Sequence, residues 1–180
     1  MNSMVKASLI LLSILYPFIV YWGIQHDAYG WLLTMLAGLL VLRWITASSA
    51  QERYFLCLAV IVIGAVVWWL GEKNGLKLYP VIINLSLLFL FASSLLTEMS
   101  VVERLARIRE PELPEKAVLY TRKVTQIWCV FFAFNATLAL ITVLLADDAL
   151  WLWYNGVVAY FLIGGLMLGE WLVRQRVKAA

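Results

Sequence analysis

Histidine occurs once in this chain of 180 residues, cysteine twice and proline four times, and charged residues make up only 14% of it. Each scarcity excludes something. The single histidine, His26, cannot supply the clustered His and Glu ligands of a membrane metalloprotease, nor the CxxCH of a c-type haem. Serine chemistry lacks its usual base, because His26 lies between two apolar runs while Ser86, Ser93 and Ser94 lie inside another. His26 with Asp27 reads more simply as a solvated turn. Cys57 and Cys129 fall within apolar runs and read as small buried hydrophobes, not as a disulfide framework. No catalytic, metal or cofactor constellation emerges, so a non-enzymatic protein with no cofactor is expected. The shortage of charge says most. A soluble domain carries about a quarter charged residues, whereas this chain is 64% hydrophobic with a mean hydropathy of +0.88. Only lipid makes such a surface harmless.

What is present is a set of six apolar runs, at about 7–24, 29–45, 54–70, 79–97, 126–145 and 152–173. Each is long enough to cross a bilayer as a helix, at about 1.5 Å per residue. Helices are required because backbone polar groups in lipid must be satisfied within the segment, and β-barrel strands are excluded because the runs are apolar on every face. The expectation is one all-α domain over 1–180, a polytopic bundle of six transmembrane helices. The first run has a leading Lys6 but no small-x-small cleavage site after it, so it reads as an uncleaved span. "LYPFIV" (15–20) echoes "LYPVII" (78–83), but the two sit at different fractions of their spans and read as coincidence, not an inverted repeat.

Charge sets the orientation. With both termini in the cytoplasm, twelve of the fourteen Lys and Arg residues fall inside and only Lys73 and Lys77 outside. The nine tryptophans all fall near predicted span ends: Trp22, Trp31, Trp68, Trp69, Trp151 and Trp153 on the outer side, Trp44, Trp128 and Trp171 on the inner. A multi-pass membrane location with the long loop on the cytoplasmic side follows. The long cytoplasmic loop, 98–125, contains "ERLARIREPELPEKAVLYTRK", with six cations and four acids. Before Pro111 it reads as a short amphipathic helix with Val101, Val102, Leu105 and Ile108 on one face. Pro111 and Pro114 then break it, and Pro114 is placed to begin a helix that continues into the fifth span. The cations set topology first. Arg104, Arg107, Arg109, Arg122 and Lys123 are also candidates for docking an anionic headgroup or an acidic partner. The net charge of +3 is too modest to point to nucleic acid, which is not expected as a partner.

Ionisable residues at mid-depth are missing, which argues against a proton- or sodium-coupled transporter. Amides remain. Asn135 lies near the middle of the fifth span, with Asn84 and Asn155 about one turn inside the outer ends of the fourth and sixth. They are expected to point into the bundle, first as hydrogen-bonded links between helices, otherwise as the lining for an amphiphile's polar end. Gly165 and Gly169 permit a close helix approach, read first as packing within the chain and second as a homodimer contact. Glu170 and Arg174 are placed to pair at the cytoplasmic rim.

The elements "ERLARIREPELP", "YTRKVTQIWCVFF", Asn135, "WYNG" (153–156) and "GE" (169–170) resemble a family of small bacterial inner-membrane proteins from aryl-polyene (xanthomonadin-like) pigment clusters. The resemblance spans roughly residues 79 to 176 and reaches the first three spans only through hydropathy. More distantly, Trp128, Phe131, Phe132 and Asn135 resemble a pattern of the intracellular septation protein A family, from which the chain departs in its longer "REPELPEKAVLYTR" loop. Neither resemblance supplies a catalytic mechanism. The first implies an accessory or scaffold role in lipid-type synthesis at the cytoplasmic face, with soluble acyl-chain enzymes, an acyl carrier protein or membrane lipid as partners. The second implies envelope maintenance. A small transporter or flippase for a lipid-linked product is the third reading.

Overall fold

The computed structural model describes residues 15–46, 50–108 and 110–179, and every regular element among them is helical. Arg109 and the start of the first apolar run lie outside the described residues. In chain order the elements are α1 (15–25), α2 (Tyr29–Thr46), α3 (Ala50–Lys77), α4 (Tyr79–Ser94), α5 (Val101–Arg107), α6 (Glu115–Leu144), α7 (Asp148–Trp153) and α8 (Ala159–Ala179). A π-helical turn, Tyr154–Val158, joins α7 to α8 without a break.

Two continuous helical segments, Glu115–Leu144 and Asp148–Gln175, are long and apolar enough to cross a membrane. The segments Val67–Lys77 and Tyr79–Ser94 make a third candidate if their bent pair counts as one span, for the chain turns 89° between them. Two residues mark the backbone on either side of that bend. Gly71, at φ 80° and ψ 164°, takes a backbone conformation open essentially to glycine alone and interrupts α3 there. Pro80 then sits in the first turn of α4, where its missing N–H removes no helical bond. Pro114 caps α6 as expected, so the helix starts well before its apolar stretch and carries Arg122 and Lys123 on its first turns.

The best-packed pair is α4 with α6, antiparallel, since the end of α4 meets the start of α6 and the middles of both meet. Along α6 the buried positions are Thr121, Val124, Thr125, Phe132, Asn135, Ala136, Ala139, Thr142 and Val143, a mostly three-to-four spacing that draws one stripe toward its neighbours. Ala136 and Ala139 on that stripe allow close approach of the α4 backbone. Phe91 of α4 meets Phe132 edge-on at 5.1 Å between ring centres, and Trp128 tilts against Phe132 at 5.5 Å. A second core gathers Tyr16, Val20 and Ile24 of α1 with Leu32, Leu76, Val143 and Trp151.

The outward faces are apolar too. Trp68, Phe161, Val130 and Leu144 all point away from the chain's own packing. Two details differ from the sequence reading. Trp151 is wholly enclosed, a core residue and not a surface anchor, because α7 wedges it against α1 and the α3–α4 corner. Cys57 is exposed and Cys129 only partly covered, so both belong to outward apolar faces.

Candidate functional site

Three polar arrangements stand out against this apolar background. The first crosses the middle of the bundle. The Tyr154 hydroxyl donates to Asn135 Oδ1 at 2.6 Å, Asn135 Nδ2 donates to Asn84 Oδ1 at 3.0 Å, and Asn84 Nδ2 donates to the Pro80 carbonyl at 2.8 Å. Beside it, Asn155 Nδ2 donates to the Trp151 carbonyl and to Thr142 Oγ1. The three asparagines singled out from the sequence therefore lie on one seam, in two adjacent clusters. Tyr154 was not among the expected residues. It joins because the π-helical turn inserts a residue into the helical ladder, which lets Tyr154 and Asn155, neighbours in sequence, both face α6. Among the described residues no buried side-chain nitrogen or oxygen lacks a hydrogen-bond partner. Every buried polar atom of the seam therefore has a partner.

The second arrangement occupies the end of the bundle that carries residues 95–123. Ser100 caps α5 by accepting from the Glu103 N–H, the first half of a capping box. Glu103 is itself buried and takes both Nε and Nη2 of Arg107 on Oε1, at 2.9 and 2.8 Å, while Arg107 Nη1 donates to the Pro111 carbonyl. Arg107 is thus consumed internally. Arg104 and Arg122 instead converge on the irregular turn after α4, and both stay exposed, as does Lys123. The apolar face expected of α5 is divided: Val101 and Val102 are partly covered, whereas Leu105 and Ile108 point outward.

The third arrangement lies at the opposite end, outside the apolar stretches. Asp148 accepts from Lys73 at 2.8 Å with one oxygen and from Lys77 with the other, and only 1% of the Lys77 side chain is exposed. Trp151 Nε1 donates to the Lys77 carbonyl at 2.9 Å and the Tyr16 hydroxyl to the Leu76 carbonyl at 3.2 Å, so side chains satisfy the C-terminal carbonyls of α3. Asp147 caps α7 through the Ala149 and Leu150 N–H groups. Burial works to raise the Asp148 carboxyl, but the hydrogen bonds and charges of Lys73 and Lys77 prevail and hold it below the usual carboxylate range. Sequence reasoning saw the two lysines only as outer-loop charges. "DDALW" carried the missing signal, an acidic cap before an apolar helix.

No family model, curated protein or solved structure matches the chain. The remaining expected residues divide. Glu170 and Arg174 do approach, at 3.8 Å, and Tyr120 ties α6 to the same place through the Glu170 carbonyl at 3.1 Å. Gly165 and Gly169 have no described atom within 4 Å of where a Cβ would stand, so no close helix packing uses them within the described chain. Among the described residues no three His, Cys, Asp or Glu side chains gather as a metal site.

Proposed function

We propose that this chain is a six-span protein of the bacterial inner membrane, with both termini in the cytoplasm, serving as a non-enzymatic accessory scaffold for lipid-type synthesis of the aryl-polyene kind. The hydrogen-bonded seam of Asn84, Asn135 and Tyr154 is the observation that carries this reading. A conduit for a polar cargo needs donors and acceptors turned toward its path; here the Asn135 amide bonds both Asn84 and Tyr154 and links α4, α6 and the π-helical turn. The outward apolar faces and the inside-outside charge imbalance support membrane insertion, and the residue 95–123 end is the surface offered to the cytoplasm.

The test uses a strain whose product is measured in each leaflet. Reporter fusions near Glu112 should be active only when cytoplasmic, and activity on the far side overturns the topology. Deleting the chain should lower total product, and Asn135→Leu at normal abundance should restore it. Product accumulating in the inner leaflet of that variant would favour a flippase instead.

A further inference from the structure

We propose that Arg104 and Arg122, both bonded to the turn 95–99, together with the exposed Lys123 that follows Arg122 in sequence, seat the phosphodiester of a membrane phospholipid. This rests on the membrane reading above and names what the cytoplasmic end binds. The turn after α4 is irregular, and two guanidinium groups from different elements fasten onto it. Arg122, from α6, donates through Nη2 to the Leu95 carbonyl at 2.6 Å. Arg104, from α5, donates through Nε to the Met99 carbonyl at 3.2 Å and through Nη2 to Thr97 Oγ1 at 3.4 Å. These bonds use one of the five N–H donors of Arg122 and two of those of Arg104. They fix the planes of both groups while leaving donors for an outside acceptor, and a fixed guanidinium fork matches a phosphate better than a lone ammonium does.

The surroundings select the occupant. An open hollow of about 470 Å³ is lined by Leu96, Thr97, Glu98, Met99 and Arg104. Leu96 is 89% exposed, and Met99, Leu105 and Ile108 also point outward at this end. A soluble acidic protein has no use for that much bare apolar side chain beside the cations, whereas a lipid supplies a phosphate and acyl chains together. Glu98 in the same hollow opposes a densely acidic protein surface but tolerates one phosphate, beside the glycerol or the ammonium of a common headgroup. Arg107 takes no part, because Glu103 and the Pro111 carbonyl hold it.

The full chain, purified in detergent, would be offered phosphatidylglycerol, phosphatidylethanolamine and phosphate-free diacylglycerol, with retained lipid counted by native mass spectrometry. Either phospholipid should be retained about tenfold over diacylglycerol, and R104Q/R122Q/K123Q should lose most of that preference. Equal retention of all three lipids, an unchanged preference in the variant, or displacement by millimolar inorganic phosphate would overturn the proposal. So would loss in the variant of an acidic soluble protein with lipid retention unchanged. Photoactivatable phospholipid on the wild-type chain gives a readout free of any folding defect: labelling should concentrate on residues 95–123, and labelling spread evenly over α8 would count against the site. Correct topology by the Glu112 reporter with no phospholipid preference sinks this inference alone; failed insertion of the wild type sinks the membrane reading beneath it.

Discussion

Replacing Asp148 with alanine takes away the carboxylate that Lys73 and Lys77 share, and the two lysines respond differently. Lys73 is 43% exposed and turns to water. Lys77, enclosed by α3, α7 and the corner into α4, has no such recourse. Its ammonium is left buried without the carboxylate that paired it, so Asp148→Ala should destabilise by roughly 3–5 kcal/mol, the cost of breaking a buried pair.

Lys77→Met should be far milder, about 1 kcal/mol or less, since Asp148 keeps Lys73 and is itself partly in reach of water. The double variant should resemble Lys77→Met, because no stranded charge remains. Unfolding in mixed micelles, followed by tryptophan fluorescence, measures all three; Trp151, bonded to the Lys77 carbonyl, sits at the perturbed place. Equal losses for Asp148→Ala and Lys77→Met would refute the reasoning, since then neither charge needs the other. The pH dependence has a fixed sign. A carboxyl held below its unfolded value stabilises fully above the ordinary Asp range and loses that contribution as pH falls through the lowered value. Wild-type stability should therefore drop below about pH 4, and Asp148→Asn should be flatter there.

Asn135→Leu cuts the seam at its centre and leaves Asn84 Oδ1 and the Tyr154 hydroxyl without partners; a loss of about 0.6–2 kcal/mol is expected in the same assay, and Tyr154→Phe should lose less. Gly71→Ala places a Cβ on a backbone that resists it at φ 80°, which should lower stability by about 1–3 kcal/mol although the surrounding space is open; hydrogen exchange at 72–77 reads whether the corner shifts. Glu103→Ala frees a forked Arg107 that also holds the Pro111 carbonyl, so proteolysis between 100 and 114 should accelerate severalfold while insertion is unchanged.

The helical class and the position of the amides were legible because lipid-length apolar runs and buried polar residues each obey a strong constraint. α2 over Tyr29–Thr46 and the Pro114 start of α6 follow from local rules that tertiary packing leaves alone. What stayed hidden depends on pairing across the chain. "DDALW" marks a helix cap but not the two lysines about seventy residues earlier that close on Asp148, and no local pattern marks the extra residue at Tyr154 that turns a fourth polar group into the seam. On α5 the apolar spacing was legible, but its division was not: Glu103, whose N–H bonds Ser100 and whose carboxylate forks Arg107, is buried, while Leu105 and Ile108 point outward.

The buried Glu103 changes what the basic segment can be. Six cations within residues 103–123 suggest a uniform positive patch, but Glu103 holds Arg107, and Glu110, Glu112 and Glu115 interleave with the prolines between the two groups of cations. The outward charge fixed at the turn 95–99 is narrow: Arg104 and Arg122, beside Leu96, with Lys123 next to Arg122 in sequence and Lys116 exposed farther back on α6. A broad patch would bind any polyanion and weaken smoothly with salt. A narrow one, flanked by apolar side chains and fixed by bonds to a single turn, should discriminate by headgroup and lose little between low and physiological salt, because the seated phosphate is shielded by the chains that accompany it. Retention of phosphatidylglycerol measured across that salt range separates the two; a steep, featureless decline would return the segment to a topology signal and nothing more.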